Sequence, residues 1–468
     1  MTPLSWDLEL ARKGGLDGRF LVGLMTAGIY SLPSCRVKPA NSEKIQTFST
    51  VTAAKAAGLR ACTICRPDRL YRADDENITS FQELVLRLRT HPENIADAAD
   101  MARAAGMTKG KLEDLFRDHA HLSPERWLLR MRVRAVGIRL LQDRRAAAEL
   151  AVETGFGDPR TFEREFLREM RMTAQDYRAL NAKRGFQLVL PRGYRANEIL
   201  AYQGRDSQSP CERVDGNRIW KALVTRDGPV ILELTLEPSR AIVRIHSKGA
   251  VGRDSVAVLH RDALGILGLL GEVQSFESEH ADFVRGRRGV RLSLIRGFDA
   301  LCWAITGQQI NLSFASTLRR ELIALAGQKI DGMLAHPTPE AVANLGTKAL
   351  TAVRYSRSKA KYLVTVAATI AGGHLNVDGL AEGSAVAAER TLIAQHGIGL
   401  WTARYVMLRT GFADSAPVGD SGLATALERL HKLPERPDAS QTARLMSPFS
   451  PYRSLASAHL WTRLHEAP

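Results

Sequence analysis

Residues 392–420 read LIAQHGIGLWTARYVMLRTGFADSAPVGD, and the organisation of the chain can be worked out from them. Leu392 and Ile393 close one helix, Gly397, Ile398 and Gly399 make a tight hairpin, and a second helix runs over about 402–410 until Gly411 stops it. Two glycines one residue apart let the backbone take positive φ and leave no side chain in the way. The amides opening the second helix then point outward, unsatisfied, at the positive end of the helix dipole, where a phosphate fits. A loop punctuated by Gly411, Pro417 and Gly419 leads to Asp420, placed to begin another helix whose N-terminal amides would hold its carboxylate ionised. Taken singly, the two halves are an αα-hairpin and an N-cap. Together they describe a site.

Hairpin, loop and aspartate at this spacing resemble the helix-hairpin-helix, Gly/Pro-rich loop and catalytic Asp of base-excision DNA glycosylases. The flanking segments narrow the resemblance. GFDALCWAITGQQINLSFAS (297–316) and PYRSLASAHLW (451–461) are similar to the inducible 3-methyladenine DNA glycosylases. The resemblance implies that Asp420 is catalytic, that Gly397, Gly399 and Thr402 meet DNA phosphate, and that Gln308, Gln309 and Ile310 lie where that family wedges the duplex as the damaged nucleotide leaves. By spacing alone, Trp401 and Tyr405 share one helix face, as a base pocket or plain core packing would both require. On the family pattern Trp461 completes the pocket. YSRSKAKYL (355–363) offers Arg357, Lys359 and Lys361 either as phosphate contacts or as a solvated basic face.

The residue types suit the chemistry. A purine alkylated at N3 or N7 is a cation and already a good leaving group, so a general acid is scarcely needed. Aromatic faces attract such a cation. Asp420 would stabilise the oxocarbenium-like sugar and help place water at C1′. Bifunctional relatives carry a lysine nucleophile in the hairpin; Leu400 and Trp401 stand there instead, so the expected enzyme is of the DNA-3-methyladenine glycosylase II type, without lyase activity and with no cofactor in catalysis.

Upstream, FQLVL (186–190), VILELTL (230–236) and AIVRIH (241–246) read as strands and LHRDALGILGLL (259–270) as a helix. A small α+β domain is expected, resembling the same family's N-terminal subdomain, and on that resemblance Tyr202 approaches the base pocket. Before it lies a helical repeat. IADAADMARAAGMTKGKLEDLF (95–116) places Gly106 between two helices with Thr108 as N-cap; AAAELAVETGFGDPRTFEREF (146–166) repeats the design with Gly155, Asp158 and Pro159. Leu112 and Phe116 match Phe162 and Phe166 as core-facing pairs. Two such units joined by a helix over 125–143 resemble the AraC-type DNA-binding domain, whose recognition helices would present Lys109 and Lys111, then Arg160, Thr161 and Arg164, to duplex DNA. The run RMRVR (130–134) reads as the solvated face of the joining helix.

Toward the N-terminus, AGIYSLPSC (27–35) and AAGLRACTICRPD (56–68) resemble the zinc domain of the bacterial adaptive-response methyltransferases. That family has four zinc cysteines, one of which accepts methyl groups from DNA phosphotriesters. Cys35, Cys62 and Cys65 match three; the acceptor position holds Ser31. A serine hydroxyl has no counterpart to the nucleophilicity of a zinc-bound thiolate. Methyl transfer is therefore not expected, and zinc is expected at low occupancy, with a metal-free relic as the alternative.

The totals agree. A length of 468 residues implies several domains, and a net charge of +15 suits a polyanionic partner. The most apolar stretch, 263–273, is short and holds three glycines, so no membrane is expected. The N-terminal segment lacks an apolar signal core, and five cysteines do not make a secreted disulfide framework, which points to the cytoplasm. The expected fold is multidomain and mainly α with a small α+β domain: a tail (1–16), a degenerate zinc domain (17–77), a double helix-turn-helix (78–182), an α+β subdomain (186–282) and an all-α helix-hairpin-helix glycosylase domain (289–465). The expected function is monofunctional excision of alkylated bases from double-stranded DNA by a monomer carrying a DNA-binding regulatory module. The alternative is a non-enzymatic transcriptional regulator.

Overall fold

The computed structural model describes residues 20–33, 35, 45–48, 51–65, 67–68, 76–182 and 185–464. The expected tail lies outside them. A small sheet comes first, of strands β1 (Leu21–Leu24), β2 (Ile29–Ser31), β3 (Ile45–Phe48) and β4 (Arg60–Ala61) in the order β3-β1-β2-β4, with helix α1 (Val51–Ala56) against it. Its core is Leu21, Tyr30, Leu32, Phe48 and Ala54.

Helices α2 (Glu76–Thr90), α3 (Ala98–Ala104), α4 (Lys109–His119), α5 (Pro124–Gln142), α6 (Ala147–Glu153), α7 (Pro159–Met170) and α8 (Ala174–Arg178) form the double helix-turn-helix. The expected caps are in place: Thr108 Oγ1 accepts from the Lys111 amide at 3.3 Å and Asp158 Oδ2 from the Thr161 amide at 2.7 Å. Leu112, Phe116, Phe162 and Phe166 are buried as the repeat requires. The reading of 130–134 as a solvated face is wrong. Arg132 is buried and donates to the Ile95 and Ala96 carbonyls. Arg130 pairs with Glu169 and Glu272, and Arg134 with Glu382. Neighbours of α5 supply carboxylates and carbonyls to these arginines, and of the three only Arg134, with its side chain 35% exposed, keeps substantial contact with water.

Next come β5 (Gly185–Val189), α9 (Ala196–Gln203), β6 (Glu212–Asp215), β7 (Arg218–Thr225), β8 (Gly228–Leu236), β9 (Arg240–Ser247), α10 (Arg253–Ile266) and α11 (Val273–Glu279). The strands make one antiparallel sheet in the order β5-β9-β8-β7-β6, two strands more than the sequence pattern suggested.

The C-terminal block holds α12 (Gly297–Gly307), α13 (Leu312–Ala326), β10 (Gln328–Ile330), β11 (Met333–Ala335), α14 (Pro339–Ala352), α15 (Arg357–Ala371), α16 (Ala385–Ile393), α17 (Leu400–Thr410), α18 (Ser421–His431), α19 (Ala439–Met446) and α20 (Arg453–Arg463). It is not all-α. Asp331 (φ 42°) and Gly332 (φ 78°) close a two-residue turn between β10 and β11, the arrangement an Asp-Gly pair favours.

Two carboxylates tie the modules together. Glu382 meets Arg89 (2.6 Å), Arg261 (2.8 Å) and Arg134 (3.3 Å), drawn from three different helices. Glu272 meets Arg168 (2.6 Å), Arg130 (3.0 Å) and Arg126 (3.3 Å) of the helix-turn-helix module. The α+β sheet is joined to the C-terminal block by a buried ionic layer, in which Glu212 accepts from Lys221 at 2.8 Å and from Arg319 at 3.0 Å.

Candidate active site

The hairpin of residues 394–399 is built as its glycines suggested, with one difference. Gly397 has φ 85°, and a Cβ there would fall 2.2 Å from the Tyr362 ring. Gly399 is extended (φ −91°, ψ 178°) and serves as the N-cap of α17. No side chain caps that helix, so its first amides remain available to a ligand. Thr402 is not available in the same way: it is buried, and its hydroxyl accepts from Gln308 Nε2 at 3.0 Å. Gln308 also donates to the Gly397 carbonyl at 3.1 Å. It therefore braces the hairpin from within and does not project outward as a wedge would.

Of the other two wedge candidates, Gln309 stands exposed at the turn with φ 56°, while Ile310 is half-buried against the core. Leu312, which the sequence reading passed over, is 75% exposed at the start of α13. Among the basic candidates on α15, Lys359 is spent on the Thr306 carbonyl (2.7 Å), whereas Arg357 and Lys361 are exposed.

Asp420 caps α18. Its Oδ1 accepts from the Leu423 amide at 2.8 Å and from the Trp461 indole N–H at 3.1 Å. No ion pair reaches it among the described residues. Asp414, six positions earlier, is the opposite case: Arg453 grips both of its oxygens (2.6 and 2.7 Å), and Ser450 donates to it at 2.8 Å. Hydrogen bonds and charge from Arg453 outweigh burial and hold the Asp414 carboxyl below its usual range. Asp414 locks the loop and Asp420 is left half-exposed.

All four expected pocket aromatics come together. Trp401 and Tyr405 stack with centroids 5.6 Å apart and planes 27° apart, and Trp461 lies 6.4 Å from Tyr405. Tyr202, at the end of α9, joins through a residue the sequence reading missed. The Arg409 guanidinium lies 4.6 Å from the Tyr202 ring, 5.4 Å from Trp461 and 5.5 Å from Tyr405. It donates to the Ser293 carbonyl (3.1 Å) and the Tyr405 hydroxyl (3.3 Å). Burial opposes its charge, but the two phenols and Asp420 outweigh that and raise its pKa. The signal was present: Trp401, Tyr405 and Arg409 follow at i, i+4, i+8 on one face of α17. A second guanidinium, Arg205, sits 4.1 Å from the Tyr202 ring.

Elsewhere, Lys109, Lys111, Arg160 and Arg164 are exposed and Thr161 half-buried at the starts of α4 and α7. Lys109 reaches Glu113 at 3.8 Å, and Arg164 reaches Glu165 at 3.1 Å. In the N-terminal sheet the sulfurs of Cys35, Cys62 and Cys65 lie within 4.8 Å of one another. Cys65 Sγ accepts from the Leu32 amide at 3.3 Å. Ser31 is buried and donates to the Val22 carbonyl at 3.4 Å. Three converging sulfurs fit a zinc ion in part; the fourth ligand that a closed tetrahedral site needs is not a cysteine here. No helix among the described residues is long and apolar enough to cross a membrane.

Comparison with known proteins agrees with these modules. Residues 5–68 match the metal binding domain of Ada, residues 101–180 a helix-turn-helix domain, and residues 302–451 the HhH-GPD superfamily of base excision DNA repair proteins. The chain thus combines a segment matching the Ada metal-binding domain, a helix-turn-helix segment and a segment matching the HhH-GPD superfamily. Over 173 residues it is 31% identical to a DNA-3-methyladenine glycosylase of Bacillus subtilis, covering 36% of this chain and 57% of that protein. The chain so spans little more than half the length of that relative. Along 97% of its own length and 95% of the other's it is 24% identical to a "probable bifunctional transcriptional activator/DNA repair enzyme AlkA" of Mycobacterium tuberculosis. A solved 3-methyladenine DNA glycosylase from Archaeoglobus fulgidus shares the fold, with a TM-score of 0.50 at 18% identity over 59% of this chain and 97% of that one.

Proposed function

We propose that the protein is a monofunctional DNA glycosylase that excises 3-methyladenine and related N-alkylated purines from double-stranded DNA, carrying a DNA-binding regulatory module. The observation that carries this reading is the placing of Asp420. Its carboxylate has one oxygen anchored by Leu423 and Trp461, is engaged by no cation at ion-pairing distance among the described residues, and is joined through Trp461 to the cluster of Tyr405 and Trp401 on α17, a helix whose N-terminus no side chain caps. With phosphate held at the start of α17 and the flipped base among the rings, C1′ of its sugar comes near Asp420. The C1′–N bond breaks with its electron pair passing to the base, which neutralises an alkylated purine. Positive charge gathers on the sugar, where Asp420 stabilises it, and water adds to C1′ with loss of a proton. The interaction strengthens as charge develops and so acts on the transition state.

The hairpin has Leu400 and Trp401 where lyase-type relatives carry a lysine, which supports hydrolysis without strand cleavage. Lys109, Lys111, Arg160 and Arg164 would add phosphate contacts, with Arg160→Ala and Arg164→Ala weakening binding of the full chain to duplex DNA and lowering its salt dependence. Cys35, Cys62 and Cys65 would hold zinc with water or Ser31 as fourth ligand, supplying structural cross-linking. Ser31 supports no methyl transfer, since its hydroxyl is buried and already donates to a backbone carbonyl. We further propose that the protein acts as a monomer in the cytoplasm and that the domain limits are those of the four modules read from the sequence. The test is incubation of the full chain with methylated duplex DNA. Free alkylated base and unbroken strands with abasic sites are expected; no base release, or strand breaks without alkali, would overturn the reading.

A further inference from the structure

The aromatic cluster that should grip a cationic base already contains a cation. Arg409 sits among Tyr202, Tyr405 and Trp461, at 4.6, 5.5 and 5.4 Å from their rings, and is 6% exposed. Among the described residues its hydrogen bonds go to a backbone carbonyl and a phenol, both neutral. No carboxylate lies within ion-pairing distance of it among the described residues, so its charge is felt in the pocket instead of being cancelled locally. Through Trp461, whose N–H is held by Asp420 at 3.1 Å, this charge faces the opposite sign on the sugar side of the site. The pocket is polarised, positive where the base stacks and negative where the sugar lies.

We propose that Arg409 is a specificity-determining residue that sets the charge preference of the base pocket. This rests on the site being a base-excision site. When the C1′–N bond breaks, its electron pair moves onto the base and positive charge moves onto the sugar. A cationic base is repelled by Arg409 in the bound ground state, and the repulsion is relieved as the base becomes neutral. A neutral base is not repelled on binding, and Arg409 stabilises the negative charge it acquires. Both effects raise kcat; only the first raises KM.

The measurement is kcat and KM of the full chain for duplexes with one cationic lesion (7-methylguanine) or one neutral lesion (hypoxanthine), in wild type, Arg409→Gln and Arg409→Lys. Arg409→Gln is expected to lower kcat for hypoxanthine by on the order of 10²-fold at unchanged KM, as loss of one preorganised stabiliser does. For 7-methylguanine it should lower kcat and KM together, so that kcat/KM moves little and the cationic-to-neutral ratio rises. Arg409→Lys, which keeps the charge, should restore most of the hypoxanthine rate. Equal losses on both substrates, or a ratio that falls, would overturn the proposal and leave Arg409 as a packing residue. In the wild type, independently of any folding defect, a neutral 9-alkylpurine should inhibit at lower concentration than a permanently cationic 7,9-dialkylpurinium; the reverse order would also overturn it. A wild type that releases neither base defeats the reading of the site itself, a distinguishable failure.

Discussion

Ser31 and Asp420 are the residues that the two resemblances put at reactive positions, in distant parts of the chain, and their surroundings differ in the way that decides reactivity. Ser31 is 2% exposed and its hydroxyl is given to the Val22 carbonyl, while the amide of the next residue, Leu32, donates to Cys65 Sγ. Asp420 is half-exposed and oriented by two N–H donors, one of them the indole of Trp461, whose ring packs against Tyr405. A reactive group needs both activation and access. Asp420 has a carboxylate open to solvent, whereas Ser31 has a hydroxyl that is buried and bonded to a carbonyl. Asp414 sharpens the point from inside the same loop, since a carboxylate clamped by Arg453 has charge without freedom.

Three changes would break or sharpen this contrast. Among the substitutions, the largest effect on stability falls at Asp414. Replacing it with Asn leaves Arg453 partly buried without its counter-ion, which costs about 3 kcal/mol, while Asp420→Asn keeps its capping oxygen and should barely move the melting temperature. Equal melting temperatures for the two variants would erase the distinction between lock and reactive group. A smaller effect is expected at the cysteine cluster. Ser31→Cys supplies a fourth sulfur, so zinc affinity in chelator competition should rise about tenfold or more; no change would mean that position 31 does not face the metal.

The third test concerns acid and needs no substitution. Burial pushes His121 and His260 down to about 4 and His459 to about 3, so all three are neutral in the fold. Above the ordinary histidine value near 6.5 neither folded nor unfolded chain protonates them, and stability is whole. Below it the unfolded chain binds protons that the fold refuses, so stability falls from pH 6.5 towards 4, by about 1.4 kcal/mol per histidine per unit. His121 accepts the Asp414 amide (3.2 Å) and His459 lies two residues before Trp461, so tryptophan fluorescence should report loosening around the Asp420 site between pH 7.5 and 5.5. A melting temperature constant over that range would contradict this.

Much of this was legible in residue order because it depends on local chemistry. The helix caps at Thr108 and Asp158, the hairpin turn at Gly397 and the capping position of Asp420 are properties of short segments, and they stand where the sequence put them. The pocket face of α17 was legible by period, although Arg409 was passed over because a charged residue on an aromatic face is not expected to be buried. What escaped the reading depends on distant neighbours. Nothing near 130–134 announces that Glu169, Glu272 and Glu382 will converge on those arginines. Gln308 looked outward by resemblance and turns inward because Thr402 and the Gly397 carbonyl offer it partners. The β10–β11 hairpin was an oversight of a different kind, since Asp331-Gly332 is a local turn signal.

The central claim is that Asp420 acts through its charge on the sugar. Single-turnover release of 3-methyladenine by Asp420→Asn tests it most directly, because the substitution keeps size and helix capping and removes only the charge. A rate lower by on the order of 10²–10³, at a melting temperature close to wild type, is the expected result. Release at nearly the wild-type rate would contradict the account and reduce Asp420 to a helix cap.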